Sequence, residues 1–272
     1  CRHVIDLDPY NAEAYNNLAV SLEVQGRLDE AQDAAIQAIE LNPGYVEACT
    51  NLGNIMLRAG EPMTAAEAYR AAIKINPVAL MARANLAIAL REAGELDLAE
   101  AECRAAIKIN PNFAEGYNSL GNVLKEKENW QAASEAFETA IDLRDGYADA
   151  MLNLAGVLFK SGDLQEAEGK YRNILETFEN LAEAHAGLGV VLLAVGRLDE
   201  AVESFRHAVA SKPAHGEAQY NLATAIGGDY NETEVSAIRE LLNDKTLPDS
   251  DRIRVHFALG EINDHRGNFE TA

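Results

Sequence analysis

Residues 13–31 read EAYNNLAVSLEVQGRLDEA, and much of this stretch returns in the same order every 34 residues. With Ala12 as position 1 of a 34-residue unit, position 7 is Leu18, Leu52, Leu86, Leu120, Leu154, Leu188 and Leu222. Position 8 is always small: Ala19, Gly53, Ala87, Gly121, Ala155, Gly189 and Ala223. Position 20 is alanine at Ala31, Ala65, Ala99, Ala133, Ala167 and Ala201. Position 27 is Ala38, Ala72, Ala106, Ala140, Ile174 and Ala208. Glycine holds position 15 at Gly26, Gly60, Gly94, Gly162 and Gly196, with Glu128 as the exception. Proline holds position 32 at Pro9, Pro43, Pro77, Pro111 and Pro213, lapsing to Asp145 and Glu179.

Each unit reads as two helices. Apolar residues at positions 4, 7, 8 and 11 share one face at helical spacing. A glycine at position 15 can adopt the left-handed conformation that ends a helix. Leu28, Leu96, Leu164 and Leu198 then open a second helix. Several of these are followed by acids, which suit the first turn through the helix dipole. Proline at position 32 ends that helix, because its ring excludes the preceding turn. Small residues at positions 8, 20 and 27 let the two axes approach closely. A bulky side chain there would overpack the contact at a cost of about 1–3 kcal/mol.

A 34-residue helix-turn-helix unit with Leu-Gly, Ala and Pro at these places resembles the tetratricopeptide repeat. The resemblance implies an all-α fold, a right-handed α-solenoid whose stacked hairpins share one continuous core. Residues 1–11 read as the end of a preceding repeat, 12–215 as six repeats, 216–249 as a degenerate repeat with an insertion, and 250–272 as a partial repeat. In the degenerate repeat a good first helix is followed by GGDYNETE, then by a poorly patterned helix with Val235 in the usual alanine slot, then by TLPDSD. The register resumes three residues late, with Leu259, Gly260, Gly267, Phe269 and Ala272 at positions 7, 8, 15, 17 and 20. Residues 252–272 resemble the repeat beside the catalytic domain in bacterial repeat–sulfotransferase fusions. That likeness implies a further domain beyond residue 272, and makes a substrate-recruiting arm of a larger glycosyl- or sulfotransferase the alternative function.

The chain carries 23 basic and 44 acidic residues, a net charge of −21. Such a charge repels phosphate backbones, so nucleic acid is not expected as a partner. No apolar run reaches the roughly 20 residues of a membrane span. Cys1, Cys49 and Cys103 do not make a disulfide framework and point to a reducing, cytoplasmic compartment. Cys1 and Cys103 share position 24, and Cys49 stands at position 4, both apolar slots, so they read as small core residues. The six histidines show no metal-ligand spacing. His185 falls at position 4, a packing slot. No phosphate-binding glycine loop and no catalytic constellation is present, so the chain reads as non-enzymatic and without a cofactor.

What remains are the surfaces. Positions 2, 6, 9 and 13 lie opposite the core face of the first helix, on the stripe that lines the concave groove in this family. Position 2 is Glu13, Glu47, Met81, Glu115, Asp149, Glu183 and Glu217. These acids stabilise helix N-termini by about 0.3–1 kcal/mol each, and they also make a negative groove edge that favours basic ligands. Repeat domains that clamp the C-terminal carboxylate of chaperones carry lysine and arginine at positions 2, 5 and 6. No such clamp can be assembled here, since position 5 is Asn16, Thr50, Ala84, Asn118, Leu152, Ala186 and Tyr220.

Position 6 is Asn17, Asn51, Asn85, Ser119, Asn153, Gly187 and Asn221, and position 9 adds Asn54 and Asn122. Asparagine costs a helix about 0.6 kcal/mol relative to alanine. Its amide both donates and accepts, so it can pair with an extended peptide backbone. Packed helices lie about 8–10 Å apart, and an extended chain advances about 3.3 Å per residue. One asparagine per repeat can therefore meet a bound peptide about every third residue. The stripe is similar to the asparagine ladder in the repeat superhelix of O-GlcNAc transferases, which holds substrate peptides. The expected site is thus Asn17, Asn51, Asn54, Asn85, Asn122, Asn153 and Asn221, with an extended, preferably basic peptide as partner. Asparagine at this position can instead bond neighbouring helices. Self-association through the repeat ends is a third expectation.

Overall fold

The computed structural model describes residues 2–227 and 229–266. Cys1 and the register residues Gly267, Phe269 and Ala272 lie outside them. Among the described residues every regular element is an α-helix. The chain divides into two compact units, Cys1–Asp145 and Gly146–Ala272.

The first unit opens with α1 (Arg2–Leu7). Four hairpins follow: α2 (Ala12–Val24) with α3 (Leu28–Leu41), α4 (Val46–Arg58) with α5 (Pro62–Ile75), α6 (Leu80–Glu92) with α7 (Leu96–Ile109), and α8 (Ala114–Glu126) with α9 (Trp130–Leu143). The second unit holds α10 (Ala148–Ser161) with α11 (Leu164–Thr177), α12 (Ala182–Ala194) with α13 (Leu198–Ser211), then α14 (Gly216–Ile226), α15 (Glu232–Asn243) and α16 (Asp249–His265). Every first helix through α14 starts at position 1, and the second helices α3 through α13 start at position 17. Within each unit, α3, α5, α7, α11 and α13 each pack between the first helix of their own hairpin and the next first helix. This is the stacking of an α-solenoid.

The turns obey the register closely. Gly26, Gly60, Gly94, Gly162 and Gly196 all have positive φ, between 74° and 94°, and so does Glu128 at 58°. The second turn has a device beside its proline. Asn42, Asn76 and Asn110 each accept, through Oδ1, from the backbone N–H two residues on, at 3.0–3.2 Å. This side-chain turn closes the connection before the next first helix begins.

The alanines at position 20 are fully buried, as are those at position 27. Position 8 is matched to position 24. A β-carbon on Gly53 would come 2.4 Å from the Tyr69 ring, one on Gly121 2.6 Å from Phe137, and one on Gly189 2.5 Å from Phe205. Where position 8 is Ala19 or Ala87, position 24 is the smaller Ala35 or Cys103. The core therefore exchanges volume between two facing slots rather than fixing either one.

The pattern changes after α14. Position 24 of α15 is the exposed Arg239, and position 20 is the buried Val235. No Cα of α15 comes within 8 Å of α14. Instead α16 lies along α14, running the same way. Gly216 donates its N–H to Asp251 Oδ1 at 3.0 Å, Tyr220 meets Phe257 edge-on at 6.3 Å, and Gly227 abuts the His265 ring. Only glycine fits at the first of these contacts, since a β-carbon on Gly216 would sit 2.7 Å from the Asp251 carbonyl oxygen.

Candidate functional site

The first helices carry the asparagines, and in the first unit these side chains join one repeat to the next. Asn51 on α4 donates through Nδ2 to Asn16 Oδ1 on α2 at 2.8 Å, and Asn16 in turn reaches the Tyr45 hydroxyl at 3.5 Å. Asn85 on α6 donates to Asn54 Oδ1 on α4 at 3.1 Å, and the same oxygen accepts from the Tyr69 hydroxyl at 2.7 Å. Packing between repeats does use these amides, contrary to their placement away from the intra-repeat core. Asn122 folds back onto its own helix, donating to the Asn118 carbonyl at 3.1 Å. Asn153 is half-buried and engaged. Asn17 is exposed and Asn221 half-buried, and neither makes a hydrogen bond among the described residues.

The pairing leaves definite groups over. Among the described residues Asn51 Oδ1 and Asn85 Oδ1 accept no hydrogen bond, and Asn54 Nδ2 donates none. All three side chains are partly exposed. Along α4 and α6 the stripe thus offers an acceptor, a donor and an acceptor. Asn16 and Tyr69, which orient these amides, were not in the expected site. Asn16 is one position from the stripe and buried. Tyr69 could have been found from its match to Gly53, which brings its ring across to α4.

The missing asparagine of the sixth repeat has a local cause. Tyr171 on α11 keeps its hydroxyl beside Gly156 of its own hairpin and also lies over Gly187 at position 6 of α12. Burial pushes the Tyr171 hydroxyl up to about 12.

The acidic row is partly neutralised. Glu115 pairs with Arg144 at 3.2 Å and Glu183 with Lys212 at 2.9 Å. Glu13, Glu47, Asp149 and Glu217 are exposed and form no ion pair among the described residues. In the first unit Met81 interrupts the row, and there α4 and α6 enclose a depression of about 370 Å³ containing Asn51, Val78 and Met81.

The other candidate groups serve packing. Cys49 and Cys103 are buried and unpaired with each other, and burial pushes the Cys103 thiol up to about 12. His185 stacks on His207 with centroids 5.0 Å apart, and its Nε2 lies 2.9 Å from the Glu179 carbonyl. Burial, then the neighbouring His207, depress the His185 pKa against the opposing pull of that carbonyl. Among the described residues no cluster of three His, Cys, Asp or Glu side chains could hold a metal, and no helix is long and apolar enough to cross a membrane.

Four family models of the tetratricopeptide repeat match the chain, over residues 12–45, 50–112, 114–147 and 146–214. No curated protein matches it. Its fold is similar to that of a tetratricopeptide repeat protein from Parabacteroides merdae, with TM-score 0.68 at 16% identity over 91% of this chain and 98% of that one. It is similar also to PilF of Pseudomonas aeruginosa, with TM-score 0.62 at 20% identity over 78% of this chain and 97% of that one. A third likeness is to the Cut9–Hcn1 hetero-tetramer of the APC/C, with TM-score 0.68 at 19% identity over 83% of this chain. The chain spans 44% of the length of its counterpart in that complex. These likenesses concern the fold. The repeat matches run with short gaps from residue 12 to residue 214, and the chain belongs to the tetratricopeptide repeat family.

Proposed function

We propose that the chain is a protein-interaction scaffold whose first helices bind an extended, basic peptide segment through backbone hydrogen bonds to asparagine. The observation that carries this reading is the set of amide groups left over at Asn51, Asn54 and Asn85 after each has bonded a neighbouring helix. The inter-helix bonds orient these amides, so little side-chain entropy is lost when a peptide docks. The ligand N–H groups meet Asn51 and Asn85, and a ligand carbonyl meets Asn54. The exposed acids Glu13 and Glu47 add a preference for lysine and arginine. Backbone pairing of this kind selects extended chains with little dependence on side chains.

The experiment uses two classes of substitution. Asn17→Ala and Asn221→Ala remove amides that hold no helix, so they test binding alone. Asn51→Ala, Asn54→Ala and Asn85→Ala together test the paired ladder. Titration with labelled lysine-containing peptides free of helical propensity should show weakened binding in both classes. Unchanged affinity with a native denaturation curve overturns the ladder. A loss of folding in the triple variant, with Asn17→Ala and Asn221→Ala silent, assigns the asparagines to packing alone.

A further inference from the structure

A groove of about 690 Å³ runs between α13 and α15, floored by α14. It lies on the face of α14 that bears positions 4 and 7, Gln219 and Leu222, rather than on the face that bears Asn221. It therefore does not rest on the asparagine reading. Its origin is in the sequence of α15. The slots filled elsewhere by alanine at position 20 and by an aromatic residue, alanine or cysteine at position 24 hold Val235 and Arg239. Arg239 stays exposed, and α15 stands off from α14 by more than 8 Å, Cα to Cα.

The equivalent groove one repeat earlier is about 440 Å³ and contains the stacked His185–His207 pair with Glu176, Glu200 and Glu203. In the later groove the histidine slot is Gln219, which donates through Nε2 to the Pro213 carbonyl at 3.0 Å. The lining is apolar, with Val209, Leu222, Ile238 and Leu241. The rim is acidic, with Glu234, Glu240 and Asp244 against the one guanidinium of Arg206. Ala210 and Ala237 on its two walls are exposed, so the groove is open along its length. A drug-sized molecule in a dedicated pocket has most of its surface buried, whereas the exposed Ala210 and Ala237 leave both walls of this trough open to solvent. The Tyr230 ring forms part of the lining, and its buried hydroxyl has no hydrogen-bond partner among the described residues.

An apolar trough flanked by two helices is the shape that receives the apolar face of a third. We propose that this groove docks an amphipathic helix of a partner protein, with lysine or arginine flanking its apolar face to meet Glu234, Glu240 and Asp244. Leucine-sized side chains of that helix lie on Leu222 and Ile238.

The test uses the full chain and a labelled probe peptide of about 18 residues, five helical turns. The probe has leucines at i, i+3, i+4 and i+7 spacing and lysines on the flanks, and is compared with a scrambled peptide of the same composition. The amphipathic probe should bind at least about tenfold more tightly than the scramble, and filling the trough by Ala237→Trp or Ala210→Trp should lower its affinity by about tenfold or more. Both alanines are exposed, so these variants keep the fold. Glu234→Lys with Glu240→Lys should shift preference toward a glutamate-flanked version. Equal binding of probe and scramble, or undiminished binding to the filled variants, overturns the proposal. So does saturable, tryptophan-sensitive uptake of the neutral dye Nile red without competition by the probe, which would assign the trough to small apolar ligands.

Discussion

The ring of Tyr171 occupies the space that any side chain at Gly187 would need: a β-carbon there would lie 2.3 Å from Tyr171 Cζ. Three other aromatic residues at position 24 press on a glycine of their own hairpin, at Gly53, Gly121 and Gly189. At that slot Tyr171 faces Ala155, and its ring also reaches Gly187 of the following repeat. The glycine at position 6 of the sixth repeat is thus a packing requirement set by the preceding repeat.

Restoring the series by Gly187→Asn should therefore destabilise the protein, by about 1–3 kcal/mol, the usual cost of forcing extra atoms into a packed contact. Adding Ala155→Gly makes room for the ring within its own hairpin and should recover part of the loss. Urea denaturation of the single and double variants measures both terms. A single variant as stable as the parent would remove the steric account.

Glu128 is the one residue other than glycine with positive φ among the described residues. The left-handed conformation costs an L-residue about 1–2 kcal/mol, and glycine gives back part of that through the entropy of its unfolded chain. Glu128→Gly should raise stability by about 0.5–1 kcal/mol, and Gly94→Ala at the matching turn should lower it by a similar amount. Thermal melting of the two variants, expected to move in opposite directions, is the check.

The helix boundaries were legible because they rest on local chemistry. Glycine at position 15, proline at 32 and small residues at 8, 20 and 27 each act within one hairpin, and the helices start where the register places them. The asparagines were legible as a stripe but not as bonded pairs. Whether Asn51 meets Asn16, or Asn85 meets Asn54, depends on the offset between first helices of adjacent repeats, which no spacing within one repeat encodes. The same limit hid Tyr171, whose partner lies in the next hairpin. The poor patterning of 232–243 was visible, whereas the close pairing of α14 with α16 depends on Gly216 and Asp251, far apart in sequence.

Residues 227–250 should exchange their amide hydrogens faster than the central repeats. The segment contains α15, which makes no close backbone approach to α14 and borders an open trough. Local opening there exposes little apolar surface and so costs less free energy. Native-state exchange read by mass spectrometry should show this segment opening well before residues 86–90, whose Leu86 and Leu90 are fully buried. Equal protection of the two segments would contradict the loose packing of α15.

His185, stacked on His207, should make stability depend on pH just below neutrality. Burial first, then His207, hold the His185 pKa below its ordinary 6.5. The carboxylates Glu176, Glu200 and Glu203 in the same groove favour the imidazolium, but Glu200 is paired with Arg172 and Arg197, and the net shift stays downward. In the unfolded chain the imidazole keeps its ordinary pKa, so between the two values the unfolded state binds more protons than the native one. Stability therefore rises with pH across this window, and it falls on acidification from about 6.5 down to the lowered native value. The carboxylates Glu168, Glu183 and Glu200, held below their ordinary 4.5 by arginine and lysine partners, contribute only at lower pH. Urea midpoints at pH 7.5 and 5.5 should accordingly differ more in the parent than in His185→Gln, which keeps a hydrogen-bonding side chain but cannot titrate. An identical pH dependence in the two proteins would show that His185 is protonated as readily in the folded repeat as in the unfolded chain.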